Sequence, residues 1–339
     1  MPRPPVPFRA RRSTNAAAVG DRIYFFGGVG ANTGTESILD VSDELWCYEP
    51  ADASWRRVPR TDPWPEPRRC SGFAAHGEAI LLWGGSGVAG ETYTFLDDFW
   101  RFQVRGERWE LIEAHGSPPA RYWPVFVGRS DDTALFGGYT EDAVDKRKLD
   151  DLWLRVESEW RAVDRPPRPH DWPSARYGAA GASLDGDVVA CFGFGDEDHN
   201  DVWLLRGESW EAISPDRRDS DAPPPRYCAA VAVHERMLVV FGGRSRSRPK
   251  DDFDDLWILD LDSGAWSLVA PGGGPQRYDG TTSAPAYHAK AATACHGGFM
   301  YLWGGEGLRG HVSDFWRLDL ATLQWEPLQP ARDDDPILW

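Results

Sequence analysis

One unit recurs six times along this 339-residue chain, and it limits the fold more than any other feature of the sequence. The copies are "DELWCYEPADASW" (43–55), "DDFWRFQVRGERW" (97–109), "DDLWLRVESEW" (150–160), "NDVWLLRGESW" (200–210), "DDLWILDLDSGAW" (254–266) and "SDFWRLDLATLQW" (313–325). The two tryptophans of each copy are seven or nine residues apart, so the repeat accounts for twelve of the 18 tryptophans. An apolar run ending in paired glycines precedes each copy: "IYFFGG", "ILLWGG", "ALFGG", "VVFGG" and "MYLWGG", with "VACFGFG" as the exception in the fourth. An arginine stands sixteen residues before the first glycine in four copies (Arg11, Arg68, Arg121, Arg226). Arg176 precedes by seventeen in the fourth, and His288 takes the position in the sixth.

These runs are four to eight residues long and bounded by Gly, Asp and Pro, so they are strands and too short for helices. Each unit then holds four: a small-residue run, a run ending in Gly-Gly, the Leu/Phe/Val-Trp run, and a run opened by the second Trp. A period near fifty with four strands per unit predicts an all-β, six-bladed β-propeller, each blade a four-stranded antiparallel sheet. One blade cannot bury both of its faces. The paired indoles therefore fill the wedges between blades, at roughly 3 kcal/mol for each buried ring. The blades span about 11–58, 68–112, 121–163, 176–213, 226–269 and 288–328, with tails at 1–10 and 330–339. All six are complete in chain order, so no strand exchange is required. The tail "PILW" (336–339) is a candidate latch from blade 6 to blade 1.

With Gly-Gly after an apolar strand, "DDLW" opening the third strand and tryptophan at fixed spacing, residues 11–328 resemble the kelch-repeat β-propellers. That resemblance implies fold firmly and function weakly, because the family includes interaction scaffolds and unrelated enzymes. The iron site of kelch specifier proteins needs E-x3-D-x3-H, which is missing here. No motif carries over the Tyr/His/Tyr–Cys roles of the kelch copper oxidases. The sialic-acid mutarotases it resembles are exported, and no leader is readable here.

Charge and composition narrow the function further. The net charge of −16 opposes general nucleic-acid binding. The five cysteines are scattered with no CxxC pair, which argues against a disulfide framework or zinc ribbon and fits a reducing compartment. No apolar leader and no stretch of about 18 apolar residues is present, so the expectation is a cytoplasmic, monomeric protein with neither membrane nor nucleic-acid partner. GxSxG, P-loop and GxGxxG motifs are missing, and the Gly-Gly pairs end strands instead of opening helices. The polar run "DEDHND" (196–201) and "DDFDD" (251–255) coincide with the repeated DD slot and read as solvated turns. Neither a metal nor a cofactor is expected.

Strand direction puts the long irregular segments, such as 29–42, 164–175, 214–225 and 270–287, on one face of the disc with the start of each first strand. Variable loops on a rigid scaffold are where function concentrates. The candidate ligand site is therefore the channel mouth on that face: Arg11, Arg68, Arg121, Arg176, Arg226 and His288 as a ring, with Tyr122, Tyr177, Tyr227, Trp123 and Lys290 beside it. As free groups these cations would take carboxylate or phosphate, and the resemblance implies capture of acidic peptides by arginines at comparable positions. A residue repeated in nearly every blade more often does the same structural task in each, such as tying a strand end to a neighbouring carbonyl, and that reading outweighs the ligand site. The leading expectation is a non-catalytic scaffold for a protein segment or small anionic molecule. The alternative is a small-molecule enzyme (mutarotase, isomerase or lyase type) using His288, Arg176 or Tyr177 in the channel.

Overall fold

The computed structural model describes residues 8–30, 40–89, 92–113, 115–141, 146–168, 171–216, 221–247, 252–272, 283–307 and 310–329. Six four-stranded antiparallel sheets follow one another around an axis, each built from four consecutive strands of the repeat. The innermost strands are Asn15–Val19, Gly72–His76, Val125–Gly128, Ala180–Leu184, Ala230–His234 and Ala292–His296. They are rich in Ala and Gly because the wedges taper to the axis: a Cβ on Gly128 would lie 2.1 Å from the Ala75 carbonyl oxygen of the neighbouring blade. The second strands, such as Arg22–Phe26 and Met237–Phe241, are buried on both faces and carry unbroken apolar runs. Pro124 lies just before the innermost strand of blade 3, outside its hydrogen-bonded register.

Each tryptophan pair packs against the preceding blade, as the repeat predicts. Trp100 and Trp109 share a cluster with Tyr24, Phe26 and Leu45 of blade 1. Trp203 and Trp210 meet Val125, Phe136 and Leu152 of blade 3, and Trp316 meets Val239 and Phe241 of blade 5.

Blades 2 and 3 differ from the rest. Their second and third strands run past the glycines, over Ala79–Ala89 with Thr92–Gln103 and over Asp132–Glu141 with Lys146–Val156. A bulge at the Gly-Gly pair lets the sheet continue as a hairpin standing above the disc.

The ring closes without exchanging a strand among the described residues. Gly305 N–H donates to the Arg11 carbonyl at 2.8 Å, joining blade 6 to blade 1. Phe8 enters the same seam and stacks on Trp46 at 4.9 Å and against Trp303 at 4.4 Å. The "PILW" tail lies outside the described residues.

A second closure encircles the axis. Two residues after each repeated Arg or His stand Ser13, Cys70, Trp123, Gly178, Cys228 and Lys290, all with φ between 53° and 63°. Each N–H donates to the carbonyl of its counterpart in the preceding blade, and Ser13 donates to Lys290, so six hydrogen bonds of 2.8–3.3 Å form an unbroken circle. Left-handed backbone costs a non-glycine residue roughly 1–2 kcal/mol, and here each such residue ties two blades together.

Candidate functional site

The repeated arginines lie beneath the mouth. Arg68, Arg121 and Arg226 have no exposed surface, and Arg176 retains 3%. Each guanidinium forks onto the second acid of its blade's DD pair: Asp98, Asp151, Asp201 and Asp255. Its Nε donates to the carbonyl two residues back, and Nη1 donates to the carbonyl of the first glycine or, in blade 4, of Phe192. The same carboxylate accepts the first tryptophan's indole N–H at 2.6–2.7 Å (Trp100, Trp153, Trp203, Trp257). Arg11 pairs with Glu44 in blade 1, and His288 spans Asp314 and the Ala286 carbonyl in blade 6. Burial disfavours the His288 cation, but the Asp314 charge and hydrogen bond outweigh it and raise the imidazole above its ordinary value. The guanidinium charge is thus spent on internal carboxylates, and the anion-receiving ring anticipated at Arg11, Arg68, Arg121, Arg176, Arg226 and His288 is not a ring of free cations. Sequence reasoning met the arginines and the DD pairs separately; their joint recurrence, with Arg–Glu in blade 1 and His–Asp in blade 6, was the readable signal.

The next residues in the chain form the rim: Arg12, Arg69 and Tyr122 are partly exposed there, while Tyr177, Tyr227 and Ala289 are buried. Each bridges to the residue after its blade's second Gly-Gly position, namely Val29, Ser86, Tyr139, Phe194, Arg244 and Glu306. This yields two concentric rims.

Blades 2 to 5 contribute aromatic rings to the mouth. Tyr122 lies 5.3 Å from Phe95, 5.4 Å from Tyr139 and 5.1 Å from Trp123. Trp123 is parallel to Tyr177 at 5.8 Å, and Phe194 meets Tyr177 at 5.7 Å and Tyr227 at 6.1 Å. Burial raises all three mouth tyrosines, Tyr177 to about 12, so their hydroxyls remain protonated donors at neutral pH. Beside them, Cys70 and Cys228 are also raised by burial, Cys228 to about 12, which keeps both thiols un-ionised and weakly nucleophilic.

Charged groups lie among these rings. Glu306 takes Lys290 at 2.6 Å, Arg244 at 2.9 Å and Arg12 at 3.0 Å. Burial opposes ionisation of Glu306, yet Lys290 and Arg12, with help from Arg244, hold its carboxyl at about 2. Arg246 lies over Phe194 at 5.2 Å, with Tyr177 and Tyr227 near 6 Å, and Lys290 faces the Trp123 ring at 5.6 Å. Arg69 lies 3.9 Å over Tyr93, and its buried Nε has no hydrogen-bond partner. Among the described residues the ion pairs of these five cations involve two carboxylates, Glu306 and, through Arg244, Asp252. The structure thus gathers Tyr122, Tyr177, Tyr227, Trp123 and Lys290 at one opening, and it adds Arg12, Arg69, Tyr139, Phe194, Arg244, Arg246 and Glu306.

The run "DEDHND" is largely buried, contrary to a solvated turn. Asp198 Oδ2 accepts Ser245 Oγ and the N–H groups of Arg246 and Ser247, which fixes the loop that carries Arg246 over the mouth. His199, Asp201 and Asp216 bring ligand atoms within 4.8 Å of one another. Arg176 already occupies both oxygens of Asp201, and Asp216 holds His199 Nδ1, so these donors are committed to protein partners.

Comparison with known proteins agrees with this architecture. The KLHDC2/KLHL20/DRC7 Kelch-repeats domain matches residues 3–138 and 125–336. The chain is 26% identical to human Kelch domain-containing protein 10 over 342 residues, covering 97% of this chain and 62% of that protein. It is also 26% identical over 315 residues to the Drosophila melanogaster Leucine-zipper-like transcriptional regulator 1 homolog, and 27% identical over 347 residues to Arabidopsis thaliana Acyl-CoA-binding domain-containing protein 5. Those alignments cover 89% and 98% of this chain but only 24% and 41% of the relatives. With the family match spanning nearly the whole sequence and six four-stranded blades in the structure, the chain belongs to the kelch-repeat β-propeller family.

Proposed function

We propose that this propeller is a protein-binding scaffold whose mouth takes a protein segment carrying an acidic group next to an apolar or aromatic side chain. The observation that carries this reading is the mixed mouth: aromatic rings of Tyr122, Trp123, Tyr177 and Phe194 are interleaved with cations, Arg246 over Phe194 and Lys290 over Trp123, with Arg12 and Arg69 on the same rim. Kelch propellers generally bind protein partners, which supports the assignment. Arg69 and Arg246 have no carboxylate partner among the described residues, so an incoming acid meets guanidinium groups that are not already neutralised. Of the three residues named for the enzyme alternative, His288 and Arg176 are held in internal ion pairs and Tyr177 remains at the mouth.

Selection of a random peptide library on the purified protein, followed by fluorescence anisotropy with the enriched peptides, tests the assignment. Peptides with acidic and aromatic residues together are expected. Arg246→Glu and Phe194→Ala should each weaken binding at least tenfold, and the exposed Arg161→Glu at the outer edge should not. Equal binding by all four proteins would remove the mouth as the site.

A further inference from the structure

Blade 4 departs from its neighbours immediately before the DD slot. Blades 2, 3, 5 and 6 place Leu96, Leu149, Phe253 and Val312 there, whereas blade 4 places His199. This imidazole is 9% exposed and joins two side chains from separate loops. Its Nδ1 lies 2.7 Å from Asp216 Oδ2, and its Nε2 lies 3.2 Å from Ser174 Oγ. An ionised carboxylate only accepts, so Nδ1 carries the ring proton and Nε2 offers its lone pair to the serine hydroxyl. Asp216 is oriented by a second bond from the Asn200 N–H at 2.7 Å. Burial would push its carboxyl up, but the His199 and Asn200 hydrogen bonds outweigh this and keep it below the ordinary carboxylate range.

The serine is equally constrained. Arg176 Nη2 donates to Ser174 Oγ at 2.9 Å while Asp201 grips the same guanidinium. With one bond given to His199 and one accepted from Arg176, Oγ keeps a lone pair free, and the Ser174 side is exposed to solvent. Gly195 completes the fit: a Cβ there would lie 2.6 Å from His199 Nε2. The glycine contact recurs in blades 2 and 6, where Gly87 faces Leu96 and Gly307 faces Val312, whereas the Ser174–His199–Asp216 hydrogen bonds are particular to blade 4 among the described residues.

We propose that Ser174, His199 and Asp216 form a nucleophilic relay in which Ser174 accepts acyl groups from activated esters. Ser174 Oγ attacks the ester carbonyl carbon, and its proton passes to His199 Nε2 as the C–O bond forms. Asp216 stabilises the resulting imidazolium. Collapse of the tetrahedral adduct breaks the bond to the leaving alcohol oxygen, which takes the proton from Nε2. Water then attacks the acyl-serine, giving its proton to the same nitrogen, and that proton returns to Ser174 as the carboxylic acid departs. All five N–H groups of Arg176 are committed: to Ser174 O, Phe192 O, both Asp201 oxygens and Ser174 Oγ. Arg176 therefore has no donor left for a substrate oxyanion. A missing oxyanion donor costs about 10²–10³ in rate, so the substrate class is aryl esters and other acyl donors with good leaving groups.

The full-length protein is treated with a fluorophosphonate probe, the labelled residue is located by peptide mass spectrometry, and p-nitrophenyl acetate hydrolysis is followed. Ser174 should carry the label. Hydrolysis above background should fall at least tenfold in Ser174→Ala and in His199→Leu, which restores the residue of blades 2 and 3. Asp216→Asn should lower the rate by mis-setting the imidazole tautomer. Ser174 is an exposed residue, so Ser174→Ala decides the matter alone if His199→Leu does not fold. Wild type left unlabelled, a label on another residue, or equal rates for wild type and Ser174→Ala would overturn the proposal.

Discussion

The arginine clamps make a prediction that separates an internal tie from a ligand-binding group. Arg226 is fully buried and makes four bonds: to the Pro224 carbonyl at 3.0 Å, the Gly242 carbonyl at 2.9 Å, and Asp255 at 2.6 and 2.9 Å. Its guanidinium also lies 4.0 Å over the Phe253 ring. Arg226→Met keeps most of the volume but leaves Asp255 with the Trp257 indole as its remaining clamp donor, and it orphans both carbonyls. Removing one member of a buried ion pair typically costs 3–5 kcal/mol, so a loss of about 4 kcal/mol is expected. Arg226→His has an internal precedent, since His288 bonds Ala286 O at 2.7 Å and Asp314 Oδ1 at 2.9 Å in the equivalent place. A histidine at 226 would keep one carbonyl bond and one carboxylate bond, for a cost of about 2 kcal/mol. Urea unfolding followed by tryptophan fluorescence measures both variants, and anisotropy with a mouth-binding peptide measures function. The expected ranking is wild type, then Arg226→His, then Arg226→Met, with peptide affinity unchanged in any variant that remains folded. A Met variant within 0.5 kcal/mol of wild type, or a folded His variant that no longer binds peptide, would refute the reasoning.

Acid should unfold the protein in two legs near the blade 6 rim. Burial and the Arg12 cation depress His311 from 6.5 to about 4, so its contribution is complete above pH 6.5 and is lost as pH falls toward 4. Glu306, held at about 2 against an ordinary 4.5, adds stability that is lost between about pH 4.5 and 2. Each shift corresponds to roughly 3 kcal/mol. His311→Phe should flatten the first leg in urea titrations between pH 7 and 4, and a wild-type slope in that variant would count against the assignment. Gly85→Ala should cost at least 2 kcal/mol, because φ is 97° and the new Cβ meets Ser71 Oγ at 2.2 Å and the Arg69 carbonyl at 2.7 Å. Gly20→Ala, in a turn with nothing within 4 Å, should cost about 1 kcal/mol; equal thermal shifts for the two would show that the crowding is not felt. Asp198→Ala removes three bonds that hold residues 245–247 and should weaken peptide binding about as much as loss of Arg246; unchanged affinity would mean that Arg246 does not depend on this anchor.

Blade number, strand order and the packing of paired tryptophans were all legible in the sequence, because they rest on periodicity, and a wedge-shaped sheet must repeat its apolar faces to stack. The Gly-Gly pairs were legible for the same reason. In blade 1 a Cβ on Gly27 would lie 2.4 Å from the Arg68 carbonyl, and blade 4 departs from the rule by holding Phe192 at φ 62°. The direction in which the arginines point was not legible. A guanidinium that faces a ligand and one that folds beneath a rim have the same spacing, and only the position of the second DD acid in space, 25 to 33 residues away in the chain, distinguishes them. The extended hairpins of blades 2 and 3, the hydrogen-bonded circle from Ser13 to Lys290 and the Ser174–His199–Asp216 contact share that property. Local sequence repeats encode which strands form and which faces are buried, since those depend on neighbours along the chain. Which groups meet across the mouth depends on closing six blades into a ring, and that brings together residues that no repeat places side by side.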